Sequence, residues 1–225
     1  MTTALTADRL SKGYEDWTSQ SIAYDAKKDN HVFSVFAQYH DRGEIEGKEF
    51  HFSHYLARPA GEIDLSYQLL AGEGEAWARH GARAAMHWRA GDGWVLSAGG
   101  SYRHFARSDS RSLFIELERY TGNERLAYRL EQDLSNGADA QIRMHQASWS
   151  HYFASGAQAT LTVAGGREIN RDFGRILPSS EVLTVAIHGV VPLDASFDLV
   201  PALSWTRQDQ AYERLTASVG VRYRF

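Results

Sequence analysis

The sequence predicts an all-β fold, a single up-and-down antiparallel transmembrane β-barrel with fourteen strands as first choice and twelve as second. Three observations predict it: apolar residues at every second position, short polar clusters at hairpin-length intervals, and tryptophans near predicted strand ends. The ending "LTASVGVRYRF" shows the first. One parity is Leu215, Ala217, Val219, Val221, Tyr223 and Phe225, and the other is Thr216, Ser218, Gly220, Arg222 and Arg224. That is a strand with one oily face and one polar face.

The elements follow from the clusters that separate them. Strand 1 (2–11) alternates least clearly, which keeps the twelve-strand alternative open. Strands 2 (15–27), 3 (31–41), 4 (46–57), 5 (61–71) and 6 (75–89) are divided by "AKKDN", "DRGEIEG", "ARPAGE" and "AGEGE". Strands 6 and 7 (94–106) form a hairpin if Gly91, Asp92 and Gly93 are its loop. Trp88 then faces Leu96, and Met86 faces Ala98, on the outside, with Arg83 opposite Ser101 inside. "ARSDS" precedes strand 8 (110–120). Around "YTGN", a two-residue turn at Thr121 and Gly122 pairs Leu117 with Leu126, Ile115 with Tyr128 and Leu113 with Leu130, and sets Glu118 against Arg125 of strand 9 (123–133). "LSNGAD" and "FASGA" introduce strands 10 (137–151) and 11 (156–168). Strand 12 (177–190) carries Leu183, Val185 and Ile187 on one face. "VPLDA" leads to strand 13 (194–207), with Phe197, Leu199, Leu203 and Trp205, and strand 14 (211–225) closes the chain. Pro201 has no N–H to give a closed ladder, so a bulge or a broken ladder bond is expected there.

Composition narrows the function. With 24 Lys and Arg against 28 Asp and Glu, bulk attraction to nucleic acid is not expected. Cysteine is absent, which removes disulfides and thiolate metal sites. No apolar run is long enough for a membrane helix, and "MTTALTADRL" lacks a signal-peptide core, so an exported protein is expected to have lost its signal ahead of this sequence. No linker or composition shift divides residues 1–225, which read as one barrel domain.

A soluble sandwich buries its oily faces, whereas a membrane barrel turns them to lipid. Many similar strands and short turns favour the barrel. Trp17, Trp77 and Trp205 at one rim and Trp88, Trp94 and Trp149 at the other read as two interfacial belts. An even strand number puts both termini on the periplasmic side.

The closing strand ends in aromatic-x-Phe, here Tyr223, Arg224 and Phe225, and resembles the C-terminal assembly signal of bacterial outer-membrane barrels. With "LSKGYEDW", "SYRHF", "LERYTGNERLAYR" and "ASWSHYF", nearly the whole chain resembles the YaiO-type family of outer-membrane barrels. The resemblance implies a Gram-negative outer-membrane location, contact with outer-membrane lipid, and recognition of Tyr223 and Phe225 by the barrel-assembly machinery. Relatives with helical repeat domains ahead of the barrel export polysaccharide, and no such repeat is present in this sequence.

Chemistry is sparse. His51 and His54, three apart on a strand, point to opposite faces, as do His80 and His87, so neither pair suits a shared metal ion. Ser148 lies three residues from His145, a poor spacing for nucleophile and base on a strand. No cofactor motif appears, and the sequence reads as a non-enzyme. The candidate site is the polar face: Arg83, Arg89, Arg103, Arg125, Arg129, Arg143, Arg214, Arg222 and Arg224 against Asp64, Glu116, Glu118, Glu131, Asp139 and Asp198. Of these, Arg83, Arg103, Glu116, Glu118, Arg125, Arg129, Glu131 and Arg143 are the predicted charge network or pore lining. Few aromatics share the face, Phe36, Tyr55 and Phe114 among them, which argues against sugar-polymer transport. The expected function is a narrow pore or accessory protein for an envelope polymer or small solute. A barrel sealed by Arg/Glu pairs, or a membrane hydrolase, are the alternatives.

Overall fold

The computed structural model describes residues 1–12, 14–43, 45–59, 63–134, 142–169, 179–209 and 212–225. They form a closed antiparallel barrel. Its strands are β1 (Thr2–Leu10), β2 (Trp17–Lys28), β3 (His31–Arg42), β4 (Ile45–Leu56), β5 (Ile63–Glu73), β6 (His80–Arg89), β7 (Trp94–His104), β8 (Asp109–Thr121), β9 (Glu124–Asp133), β10 (Arg143–Tyr152), β11 (Gln158–Ile169), β12 (Ser179–Pro192), β13 (Phe197–Gln208) and β14 (Tyr212–Tyr223). Every predicted strand is present, including the first. Each strand pairs with its sequence neighbours, and β1 closes the ring on β14 through Leu5 opposite Val219. Strand β6 begins at His80, later than predicted, because Gly74–Arg79 forms the turn.

Alternation sets the faces. Leu5, Ile22, Phe50, Leu69, Ile115, Leu126, Ile187 and Val219 are all exposed on the outer surface. No helix occurs among the described residues, and the barrel meets lipid with its strands.

The β6–β7 register is the predicted one: Trp88 faces Leu96, Met86 faces Ala98, and Arg83 faces Ser101. The β8–β9 register differs by two residues. Leu117 faces Tyr128 and Ile115 faces Leu130, because the two turn residues are Gly122 and Asn123. Gly122 takes the positive φ of 56° that a tight hairpin needs at its first central position. Between β12 and β13 the pairing runs to His188 opposite Ala202, lapses, and resumes at Val191 opposite Leu199 in the same register. Pro201 thus breaks the ladder on one side without a bulge, while it still faces Val219 of β14.

The predicted belts hold in part. Trp88, Trp94 and Trp149 are exposed on the outer surface at the rim that carries the termini. At the opposite rim Trp205 shares the outward parity of Val185 and Leu215, its cross-strand partners. Trp17 and Trp77 are instead buried inside, at 8% and 5% exposure. Trp17 has the parity of Ser19 and Ser21, and Trp77 sits in the turn before β6.

Candidate functional site

The lumen has two unlike walls. Strands β3 to β9 send long and charged side chains inward, whereas β10 to β14 with β1 and β2 send mostly Ser, Thr, Ala and Gly.

On the charged wall, the mouth at the terminus-bearing rim holds two similar groups. Tyr55 donates to Asp64 at 2.6 Å and Arg89 donates to the same carboxylate at 2.9 Å. Tyr120 donates to Glu118 at 2.9 Å, and Arg125 Nε to Glu118 at 2.6 Å. Both groups line a cleft of about 820 Å³ with His87 and Tyr152. At the same rim but on the other wall, on β13 and β14, the fully buried Asp198 receives Arg222 at 2.7 Å and Arg224 at 3.2 Å. In the adjoining turn, backbone N–H groups of Ser196 and Phe197 hold the Asp194 carboxyl below its usual range.

At mid-height Arg129 reaches Glu131 at 2.6 Å, while Glu116 lies 3.9 Å from both Arg125 and Arg129. Phe114 is held between two guanidinium groups, Arg129 at 3.9 Å and Arg83 at 4.4 Å from its ring centre. Gly99 makes room for it, since a Cβ there would stand 2.7 Å from the ring. His87 is fixed between Ser66 and Ser97, each at 2.8 Å. Glu49 pairs with His40 at 3.3 Å. Among the described residues, neither Arg83 nor Arg103 forms an ion pair.

At the rim opposite the termini, Arg42 lies between the rings of Trp17 and Trp77, at 4.3 and 4.9 Å. Tyr212 meets Trp17 edge-on, and His40 stacks on Trp77. Gly47 permits this packing, because a Cβ there would be 2.2 Å from the Trp77 ring. Charge and aromatic surface line this end.

Across from these groups, hydroxyls pair along the ladder: Ser150 with Thr160 at 2.9 Å, Thr184 with Thr206 at 3.0 Å, and Thr6 with Ser218 at 3.0 Å. Between the two walls lies a cavity of about 180 Å³, lined by Glu116, Arg125 and Arg129 on one side and by Ser148, Thr160, Thr162 and His188 on the other.

Of the predicted residues, the structure brings Glu116, Glu118, Arg125, Arg129 and Glu131 together, with Arg83 on the other side of the Phe114 ring from Arg129, while Arg103 shares their inward parity but forms no ion pair with them among the described residues. Arg143 is not part of this group. It shares the parity of Trp149 and bonds Gln132 on the outer surface, at 2.8 Å. Asp139 lies outside the described residues. The sequence reading missed Arg42, Asp8, Asp25, Glu49 and Asp133, which strand parity also assigns to the lumen. It missed Tyr120 and Tyr152 as well, so the terminus-side mouth is richer in aromatic surface than expected. His51 and His54 do face opposite ways, and His54 instead meets His31 across the outer face at 2.8 Å. Ser148 and His145 also stand on opposite faces, with Tyr128 at 2.6 Å from the His145 ring. Tyr223 and Phe225 lie on the outer face, with ring centres 4.8 Å apart.

Comparison with known proteins agrees with this architecture. A family model described as the YaiO membrane beta barrel domain matches residues 1–172. A search of curated protein sequences finds no match. Among solved structures, the chain is similar to the CymD monoaromatic hydrocarbon channel, with TM-score 0.68 and 8% identity over 100% of this chain and 88% of that one. It is also similar to the Acinetobacter baumannii outer membrane protein Omp33, with TM-score 0.60 and 9% identity over 100% and 97%. For the KdgM porin the TM-score is 0.52 and the identity 8% over 100% and 99%. These likenesses are of fold.

Proposed function

The chain belongs to the YaiO membrane beta barrel family, an outer-membrane β-barrel with porin-like and channel-like neighbours, and from that premise we propose that it is a narrow pore for small hydrophilic solutes, favouring anions. The observation that carries this reading is the pairing of unlike walls: a cavity of about 180 Å³ lies between the arginine network and a wall of small hydroxyl residues. A solute beside that wall meets few bulky side chains, and the wall across the lumen offers Arg83 and Arg103, two inward guanidiniums without a carboxylate partner among the described residues.

The expected excess of arginine over carboxylate does not support the anion preference. Asp8, Asp25, Glu49 and Asp133 bring the inward acids level with the arginines. Local imbalance at Arg83 and Arg103 supports it instead. An acidic sugar segment is the polymer cargo most compatible with this lining, and Tyr55, Tyr120 and Tyr152 give it stacking surface at the mouth.

Planar-bilayer conductance tests the reading. The parent should pass a steady current that prefers chloride to potassium, and Arg83→Gln with Arg103→Gln should abolish the preference. A steady current that prefers cations would overturn it. A parent without current favours a second reading, a barrel sealed at the rim opposite the termini by Arg42 between Trp17 and Trp77.

A further inference from the structure

The outer surface is apolar over most of its height, but opposite the terminus-bearing rim it carries a charged cleft. Arg143, His145, Arg167 and Arg207 line this cleft of about 610 Å³. Gly165 stands between His145 and Leu183 in the ladder with outward parity, and its missing side chain leaves the depression, while Gly166 lets its strand lie close to the Arg143 backbone. Glu181 and Asp209 complete the polar lining. Arg167 is 3.6 Å from Glu181, so that charge is partly satisfied. Among the described residues, Arg143 donates to the Gln132 amide oxygen alone, and neither it nor Arg207 meets a carboxylate. Toward the middle of the membrane, Val163, Val185 and Leu203 present exposed apolar surface.

The height of the cleft follows from connectivity. The longest connections, 134–142 and 170–178, join strands at this rim, and both termini lie at the other. Bacterial barrels keep short turns and termini in the periplasm and place longer loops outside. The cleft therefore stands at the headgroup level of the outer leaflet. An arginine without a partner beside hydrocarbon is costly, and a phosphate oxygen pair matches a guanidinium in both charge and geometry.

We propose that this cleft binds a phosphate of an outer-leaflet glycolipid, with Arg143 and Arg207 gripping the phosphate and the acyl chains running down over Val163, Val185 and Leu203. The site lies on the outer wall and goes beyond the pore reading, since it holds whether or not the lumen conducts.

Native mass spectrometry of the detergent-solubilised barrel tests it, with bis-phosphorylated lipid A, the same lipid dephosphorylated, and inorganic phosphate as probes. The parent should retain the bis-phosphorylated lipid at least about tenfold more tightly than the dephosphorylated one, as expected for a charge-assisted contact. Arg143→Gln with Arg207→Gln should lose that difference, and Arg143→Lys with Arg207→Lys should keep part of it. Arg119→Gln, at the other rim beside Trp94, should bind as the parent does. Heat-modifiable mobility on a gel confirms that each variant is folded. Equal retention by parent and Gln variant overturns the proposal, as does displacement of the lipid by millimolar inorganic phosphate, which would mark an anion site with no preference for lipid.

Discussion

Strands β3–β9 and the run from β10 through β14 to β2 face lipid with the same alternating apolar pattern, yet they face each other with opposite chemistry. On the first wall Tyr55 bonds Asp64, Phe114 lies between Arg83 and Arg129, and Glu118 holds Arg125. On the second, Thr160, Thr184, Ala202, Thr206 and Ser218 stay close to the backbone. The difference teaches that closure of the barrel constrains only the outer face and the ladder. Inward residues are then free to specialise, and at mid-height this chain puts bulk and charge on one side and small residues on the other, while near the rims the second wall also carries Trp17, Tyr212 and the Asp198–Arg222 pair.

The largest effect tests whether the two faces are assigned correctly. Val185→Arg places a charge among lipid chains and should cost about 2–4 kcal/mol if it lies near the bilayer midplane. Thr184→Arg, one residue away, points into the lumen and should cost far less. Denaturant titration in lipid vesicles measures both. Equal penalties would mean that β12 does not divide lipid from lumen as described, and the contrast between the walls would lose its basis.

The next effect sharpens the contrast. If passage follows the small-residue wall, Ala202→Trp should cut single-channel conductance severalfold, because a large ring then fills the open side. Phe114→Ala removes bulk from the opposite wall and frees Arg83 and Arg129 from their shared ring, so it should raise conductance and noise together. Matching responses to the two changes would show that solutes do not distinguish the walls.

Much of this was legible in the sequence. Period-two patterning locates every strand, and the Gly91–Gly93 loop yields the β6–β7 register because three turn residues leave one way to keep Trp88 and Leu96 on the same face. The β8–β9 register was missed by two because a slip of two keeps every side chain on its face, so hydrophobicity cannot detect it. Arg143 and Trp17 were misplaced although their parity, set by Trp149 and Ser19, was readable. Trp77 was beyond parity, being in a turn. Its inward position depends on Gly47 from β4, a contact that no local pattern reveals. The unequal walls appear only when the inward residues of all strands are read in cyclic order.

A smaller effect probes the charged wall from within. Glu116→Gln with Glu118→Gln leaves Arg125 and Arg129 with fewer carboxylate partners, since Glu131 alone retains a close contact. The unfolding temperature should fall, because a half-buried guanidinium loses its counter-charge. Anion preference should rise in the same variant. Thr184→Val with Thr206→Val, which replaces both members of a hydroxyl pair on the other wall by groups of the same shape, should be nearly neutral, within about 1 kcal/mol, and leave selectivity unchanged. Were selectivity to move equally in both variants, charge on the network would not be what a passing ion meets.

The smallest effect on stability is expected at the seam, where β14 of the small-residue wall meets β1. The ladder is complete before the last residue: Tyr223 N donates to Met1 O and Arg224 N to Ser196 O, each at 2.7 Å. Phe225 adds no described backbone bond, and the residue is 85% exposed, with its ring meeting Tyr223 and more distantly Tyr24. Deleting Phe225 should therefore change the free energy of refolding into detergent by less than about 0.5 kcal/mol, as for other exposed positions. Its level in the outer membrane of cells should nonetheless fall clearly, if assembly machinery reads the aromatic ending on the outer face of β14. The two measurements separate a structural from a recognised residue. Unchanged membrane levels would remove the signal role from Phe225, and a large refolding loss would show that the seam depends on a ring that the geometry leaves almost free.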